Sequence, residues 1–250
     1  MPPTPLERQA GTVQLPVLTY NIHSGVGLDG VLDLDRIAEV IADSGAELVA
    51  LQEVDRHRRA QSAFADQPGH LAQRLGMHLA YAACLDDEPA HPGGQRAQYG
   101  TALLSSRPFV DVSTTLLPCF EGSEQRGLLE ATVVVEGVAL RVLGTHLQWD
   151  REDERLVQAR AITAVLDDRP TVLLGDLNTT PGSATHEHLG GFLQDSWALV
   201  GEGDGFTFDA EPPPRRIDYV WVGGVTPVRA HVIASPASDH SALLVDVGLP

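Results

Sequence analysis

Apolar positions along this chain follow two rhythms. Short branched-aliphatic runs read as strands, and a three-to-four residue spacing reads as helix. Residues 13–21 predict a strand that ends in Asn21. A helix follows from Leu34, with Ile37, Ala38 and Ile41 on one face and Asp33 as its N-cap. Residues 48–53, LVALQE, predict a second, buried strand that closes on Glu53. A short helix is expected over 68–76, a strand over 77–85, a Gly/Pro/Asp loop over 86–98, and a strand over 99–105 that starts at Tyr99. Runs at 110–118, 128–135 and 138–147, parted by turns such as Glu136-Gly137, predict an antiparallel meander. Over 152–167, Leu156, Ala159, Ile162 and Leu166 share one helical face, and that helix feeds a buried strand beginning TVLL at 171. The chain then loosens through Pro181, Gly182 and a short helix. Strands are expected at 206–208, 216–222 and 242–247.

The polar residues that interrupt this pattern fall where the apolar runs stop. Asn21, Glu53, His146, Asp176 and Asp218 lie at or near strand ends, and Asp239-His240 precedes the last strand. Asp176 and Asn178 are two residues apart and so project from one face, an arrangement that suits a hydrated hard cation, a phosphate oxygen or an Asx turn. A carboxylate such as Glu53 at the mouth of an apolar strand is either exposed or met by a cation or donor. His146, at the end of its strand, is a structural imidazole or one placed for proton traffic near neutrality. Strand ends are where sites assemble in stacked α/β architectures. The candidate ligands are nearly all oxygen donors, which points to Mg²⁺ or Mn²⁺ rather than zinc. Two histidines and several carboxylates around such a cation fit displacement at phosphorus by water.

Composition narrows the partners. Thirty-four acids face 17 bases, all of them Arg, for a net charge of −17. Such a surface disfavours non-specific, salt-driven nucleic-acid binding. The one basic cluster, Arg56, His57, Arg58 and Arg59, follows Glu53 and reads as a solvated loop or a collar that draws in an anionic substrate. Cys84 and Cys119 form no C-x-x-C, so neither a zinc knuckle nor a disulfide framework is expected, and a cytoplasmic location follows. No apolar run is long enough to span a bilayer, and the N-terminus lacks a signal-like segment. Residues 1–14 are expected as a loose tail and 15–250 as one domain, a monomer. Gly25, Gly27 and Gly30 spell G-x-G-x-x-G, but a dinucleotide fingerprint opens its helix inside the motif. Here helical spacing starts only at Leu34, so the loop reads as a flexible rim.

TYNIHSG, LVALQEVD, YGTALLS, GTHL, LLGDLN, RIDYVWV and SDH, in that order across residues 15–250, resemble the endonuclease/exonuclease/phosphatase superfamily. The resemblance implies an α/β (α+β) fold, a four-layer αββα sandwich of two stacked, mostly antiparallel mixed sheets flanked by helices. It implies a Mg²⁺- or Mn²⁺-dependent phosphoric ester hydrolase with metal at Glu53 and with Asn21 and Asp239 close by. Asp176 would orient or activate water, Asn178 hold the phosphate, Asp218 steer His240, and His146 contact the scissile phosphate. Tyr99, Arg126 and Arg56 are candidate substrate contacts, and His23 is a rim residue. His146 resembles the deoxyribonuclease, sphingomyelinase and phosphoinositide-phosphatase branches, and NIHSGVGLDG resembles a group of small bacterial members. Thr101, where many relatives carry Asn, and Gln148-Trp149 after GTHL leave the substrate contacts open. The expected substrate is a small-molecule or phospholipid-headgroup phosphodiester or monoester. The alternatives are a nuclease and a binding module that has lost turnover.

Overall fold

The computed structural model describes residues 13–89, 92–210 and 212–250. Most of the expected tail therefore lies outside the described residues. Among the described residues, twelve strands and five α-helices follow one another. They are β1 (Gln14–Asn21), α1 (Leu34–Ser44), β2 (Leu48–Arg56), α2 (Gln67–Leu75), β3 (His78–Asp87) and β4 (Ala97–Ser105). Next come β5 (Phe109–Leu116), β6 (Gly127–Val135), β7 (Val138–His146), α3 (Glu152–Thr163) and β8 (Thr171–Asp176). The last are α4 (Ala184–Gly190), β9 (Gln194–Asp195), α5 (Ser196–Val200), β10 (Asp218–Gly223), β11 (Thr226–Ile233) and β12 (Ala242–Gly248).

Two six-stranded sheets form, in the orders β11-β12-β1-β2-β4-β3 and β5-β6-β7-β8-β10-β9. Each contains one parallel pair, β1 with β2 and β7 with β8, and each pair is joined by a crossover helix, α1 or α3. The remaining pairings are antiparallel. Alternation sorts each buried strand between two cores. Leu48 and Ala50 face the core between the sheets, whereas Val49 and Leu51 face α1 and α2 through Ile37, Ile41 and Leu71. Val172 and Leu174 likewise point to the central core, and Leu173 points outward to Ala159, Ile162 and Leu189. Burial on both faces explains why these runs show no polar alternation. The result is the four-layer sandwich.

Helix boundaries follow local chemistry. Asp33 accepts from the Arg36 amide at the start of α1, and Asp66 caps α2. The helix expected over 152–167 stops at Thr163, beyond which Arg141 on β7 donates to the Val165 carbonyl. The hairpin of β3 and β4 extends to Asp87 and Ala97, into the span expected as loop. Residues 206–208 form no continuous strand: Phe208 makes single bridges to Arg215 and His240, while Thr207 Oγ1 accepts from the Asp218 amide. Strand β11 was not anticipated. It is an edge strand, mostly open to solvent, with a short alternation of Val228, Ala230 and Val232 that turns Ala230 and Val232 to the central core. No described helix is long and apolar enough to cross a membrane.

Candidate active site

Strand register assembles the site. The parallel pairing of β7 with β8 sets His146 opposite Asp176, and the antiparallel pairing of β8 with β10 sets Asp218 opposite Asp176. Three neighbouring strands thus present an imidazole and two carboxylates in a row. In the other sheet, Asn21 aligns with Gln52, and the pairing of β2 with β4 slips between Leu51 and Val54. Glu53 sits in that irregularity with φ of +56°, a backbone state rare outside glycine. Such a bulge re-aims a side chain, and here it directs Glu53 into the cleft between the sheet ends.

Asn21 ties the two sheets together. Its Nδ2 donates to Glu53 Oε1 and to Asp176 Oδ2, at 3.0 Å each. Its Oδ1 accepts from the His23 amide. The turn before β12 is anchored by Ser238, whose hydroxyl donates to the Asn21 carbonyl at 2.7 Å and accepts from the His240 amide. That turn places Asp239 at the cleft and His240 Nδ1 2.8 Å from Asp218 Oδ2. His240 Nε2 lies 3.7 Å from Asp176 Oδ2. Across the row, His146 Nε2 is 3.4 Å from the same Asp176 oxygen and 3.0 Å from Asn178 Nδ2, while Arg126 Nη1 donates to His146 Nδ1 at 3.1 Å.

The cleft has a volume of about 390 Å³, and Glu53, Tyr99, Arg126, His146, Asp176, Asn178, Asp239 and His240 line it. Asn21 and Asp218 are fully buried beneath these groups. Arg56 is the exception among the anticipated residues: it does not line the cleft, and its Nε faces Asp66 at 3.4 Å. The other arginines of the basic cluster also pair within the chain. Arg59 and Arg58 pair with the buried Asp55, and Arg58 stacks 4.2 Å over the Tyr99 ring. His23 sits at the edge, 3.8 Å from Asp239. Glu124, Trp149, Phe208, Arg215 and Ile217 also line the cleft and were not anticipated. Of these, Ile217 stands inside a quoted motif beside Asp218, and Trp149 follows GTHL in the Gln148-Trp149 pair at which the sequence left the substrate contacts open. A larger groove of about 570 Å³ between α1 and β11 holds none of these groups.

Burial and mutual charge separate the titrating groups. Burial and the Asp218 charge raise Asp176 to about 7. Burial alone would lower His240, but the charge and hydrogen bond of Asp218, with Asp176 and Asp239, push it up to about 10. His146 is driven well below the usual histidine range by burial, then by Arg126 and His240. One imidazole is therefore charged and the other neutral near pH 7.

A divalent cation fits this donor set. Glu53, Asp176 and Asp239 bring three carboxylates to one cleft, with Asp218 buried behind them and one of its oxygens, Oδ1, without a hydrogen-bond partner. Asp176, Asp218 and His240 carry ligand atoms within 4.8 Å of one another. A protonated His240 held by Asp218 has no lone pair to give, so that trio suits proton handling. Glu53 and Asp239 are the better cation ligands. Asn21 turns its nitrogen to the carboxylates and would have to present its oxygen to join them.

An edge cleft fed by two parallel-paired crossovers, with an Asp–His pair opposite carboxylates that could hold a cation, fits a phosphoester-processing class of α/β sandwich. The chain belongs to the endonuclease/exonuclease/phosphatase family, whose model matches residues 18–240. Members of this family are hydrolases of phosphoester bonds and typically use a divalent metal. An endonuclease/exonuclease/phosphatase protein from Beutenbergia cavernae is 30% identical with a TM-score of 0.81, over 94% of this chain and 72% of that one. A mannosyl-6-phosphatase from Bacteroides thetaiotaomicron (16% identity, TM-score 0.70, 93% of this chain and 99% of that one) shares the fold. So does TDP2 from D. rerio in complex with a single-strand DNA product (19%, TM-score 0.71, 94% and 99%). Protein cwh43 of Schizosaccharomyces pombe is 29% identical over 159 residues, which is 62% of this chain but only 15% of that protein's length.

Proposed function

We propose that the protein is a Mg²⁺- or Mn²⁺-dependent hydrolase acting on a small-molecule or phospholipid-headgroup phosphoester. The observation that carries this reading is the Asn21 bridge, which joins Glu53 of one sheet to Asp176 of the other within 3.0 Å of a single nitrogen. Glu53 and Asp239 would hold the cation, with Asn21 beside them. When bound, the cation supplies neutralisation of charge at phosphorus and a more acidic water. Asp176 orients the attacking water and accepts its proton, a role suited to a carboxyl raised to about 7. Asn178 and His146 donate to phosphoryl oxygens. The His240 imidazolium, held by Asp218, stabilises the negative charge that develops as the ester bond breaks. Arg126 and Tyr99 line the space for the rest of the substrate.

The test is hydrolysis of mono- and diester reporters with Mg²⁺, with EDTA, and by a Glu53→Ala variant. Turnover should vanish under both treatments; activity that survives both would sink the reading. A small substrate is favoured by the charge of −17 and by the pairing of Arg56, Arg58 and Arg59 with Asp66 and Asp55. A phosphatase among the similar folds is compatible with it. The nuclease reading draws on the likeness to TDP2 with its DNA product, and efficient cutting of single-stranded DNA at physiological salt would establish it instead. A non-catalytic module would bind metal and phosphate without turnover.

A further inference from the structure

We propose that Arg126 is a positioning residue that sets the tautomer of His146, confining the ring proton to Nε2 so that His146 meets the substrate as a neutral hydrogen-bond donor. The inference rests on the hydrolase reading of the cleft and divides the labour between its two histidines.

The argument starts from what a guanidinium can do. Arginine carries five N–H donors and no acceptor, and it stays charged throughout the accessible pH range. Arg126 is buried, and its Nη1 lies 3.1 Å from His146 Nδ1 and 2.9 Å from Glu124 Oε1. The Glu124 contact holds the guanidinium in place. Because the Arg126 nitrogen can only donate, Nδ1 must keep its lone pair, and the one proton of a neutral ring resides on Nε2. On the other side, Asp176 Oδ2, at 3.4 Å, can only accept when ionised. Asn178 Nδ2 pulls the other way: it lies 3.0 Å from Nε2 and donates to the Leu147 carbonyl at 3.1 Å, so a proton on Nε2 requires the carboxamide to turn its oxygen to the ring and give up that bond, a turn a guanidinium cannot make. The charged Arg126 donor outweighs the neutral carboxamide. The positive charge of Arg126 also opposes a second proton on the ring. His240 has the reverse arrangement: its Nδ1 faces the Asp218 carboxylate, which demands a proton there. The two rings thus meet opposite partners at Nδ1, a guanidinium at His146 and a carboxylate at His240. No proton leaves His146 during turnover; it contributes a hydrogen bond.

The experiment uses full-length protein labelled with ¹⁵N-histidine, read by long-range ¹H–¹⁵N correlation at pH 7.5, with His146→Gln to assign the ring. The expected wild-type pattern is an unprotonated Nδ1 and a protonated Nε2. In Arg126→Met the ring should shift to a mixture of tautomers or to imidazolium, with kcat on a diester reporter lower by on the order of 10- to 100-fold. Arg126→Lys, which keeps a cationic donor, should retain the wild-type pattern. A wild-type ring protonated at Nδ1 would overturn the proposal. So would an Arg126→Met ring unchanged from wild type with only KM raised, since Arg126 would then merely hold substrate. If the Met variant does not fold, the wild-type spectrum decides alone. Absence of turnover in every protein would remove the hydrolase reading while leaving the tautomer legible in the spectrum.

Discussion

At the scale of single residues, the site is governed by which groups can only donate and which can only accept. Asp218 illustrates this. It is fully buried, one oxygen faces His240 Nδ1 at 2.8 Å, and the other has no hydrogen-bond partner. Asp218→Asn preserves shape but removes the charge that keeps His240 protonated. We expect kcat to fall on the order of 10²- to 10⁴-fold, with the metal concentration for half-maximal activity little changed. His240 should titrate well below about 10 in that variant, measurable by NMR. Glu53→Ala should show the complementary pattern: divalent-cation affinity, read by calorimetry, is lost while the His240–Asp218 pair persists. The bulge explains why Glu53 reaches the cleft at all, since its φ of +56° breaks the alternation that would otherwise fix its direction.

At the scale of elements, the parallel pair of β7 and β8 has to come close enough for His146 and Asp176 to share one hydrogen-bonding neighbourhood. Gly175 permits that approach: a Cβ there would stand 2.1 Å from the Thr145 carbonyl oxygen. Gly175→Ala must therefore push β8 away from β7. We expect it to destabilise the protein by about 1–3 kcal/mol, read as a lower urea midpoint, and to reduce kcat through the displaced Asp176. The start of β10 is braced from outside the cleft. Arg216 and Asp195 form a buried pair at 2.8 Å, joined by His186 at 3.1 Å, and the Tyr219 hydroxyl donates to the Arg216 carbonyl. Arg216→Met leaves Asp195 without its guanidinium and should cost about 3–5 kcal/mol, visible as a drop in thermal midpoint.

At the scale of the whole molecule, the concentration of acid at one edge links stability to protons and cations. His240 is raised in the folded state to about 10 from an ordinary 6.5, so the stability it contributes is complete below pH 6.5 and is lost as pH rises through about 10. Asp176, raised from 3.8 to about 7, works in the same direction over its own interval, fully present below about 3.8 and gone above about 7. Metal-free protein should accordingly show a thermal midpoint that falls from pH 6.5 toward pH 10, and the fall should be shallower in Asp218→Asn. A divalent cation at 100 times its Kd should add about 2.7 kcal/mol of stability to the wild type and almost none to Glu53→Ala.

The share of this that could be read from the chain alone has a physical boundary. Strands buried on both faces, helix caps such as Asp33, and polar residues at strand ends such as Asn21, His146 and Asp176 depend on near neighbours in sequence, so their patterns are visible there; Glu53, expected to close its strand, lies instead in a bulge of β2, which runs on to Arg56. The edge strand Thr226–Ile233 is only faintly visible: Val228, Ala230 and Val232 alternate with Arg229 and His231, but a bulge between Pro227 and Arg229 and solvent on most of its length shorten the rhythm. Arg56 shows the same boundary from the other side: in the basic cluster read as a solvated loop or a substrate collar, Arg56 pairs with Asp66, and Arg58 and Arg59 pair with Asp55, partners whose positions only folding reveals. Glu124 joins the cleft without any local signal. Residue type and order determined which chemical groups stand at the ends of buried strands. Sheet register, a bulge in β2 and the turn before β12 decided which of those groups meet, because contacts between residues as far apart as Asn21 and Asp176 arise from pairing across the sandwich and have no local cause.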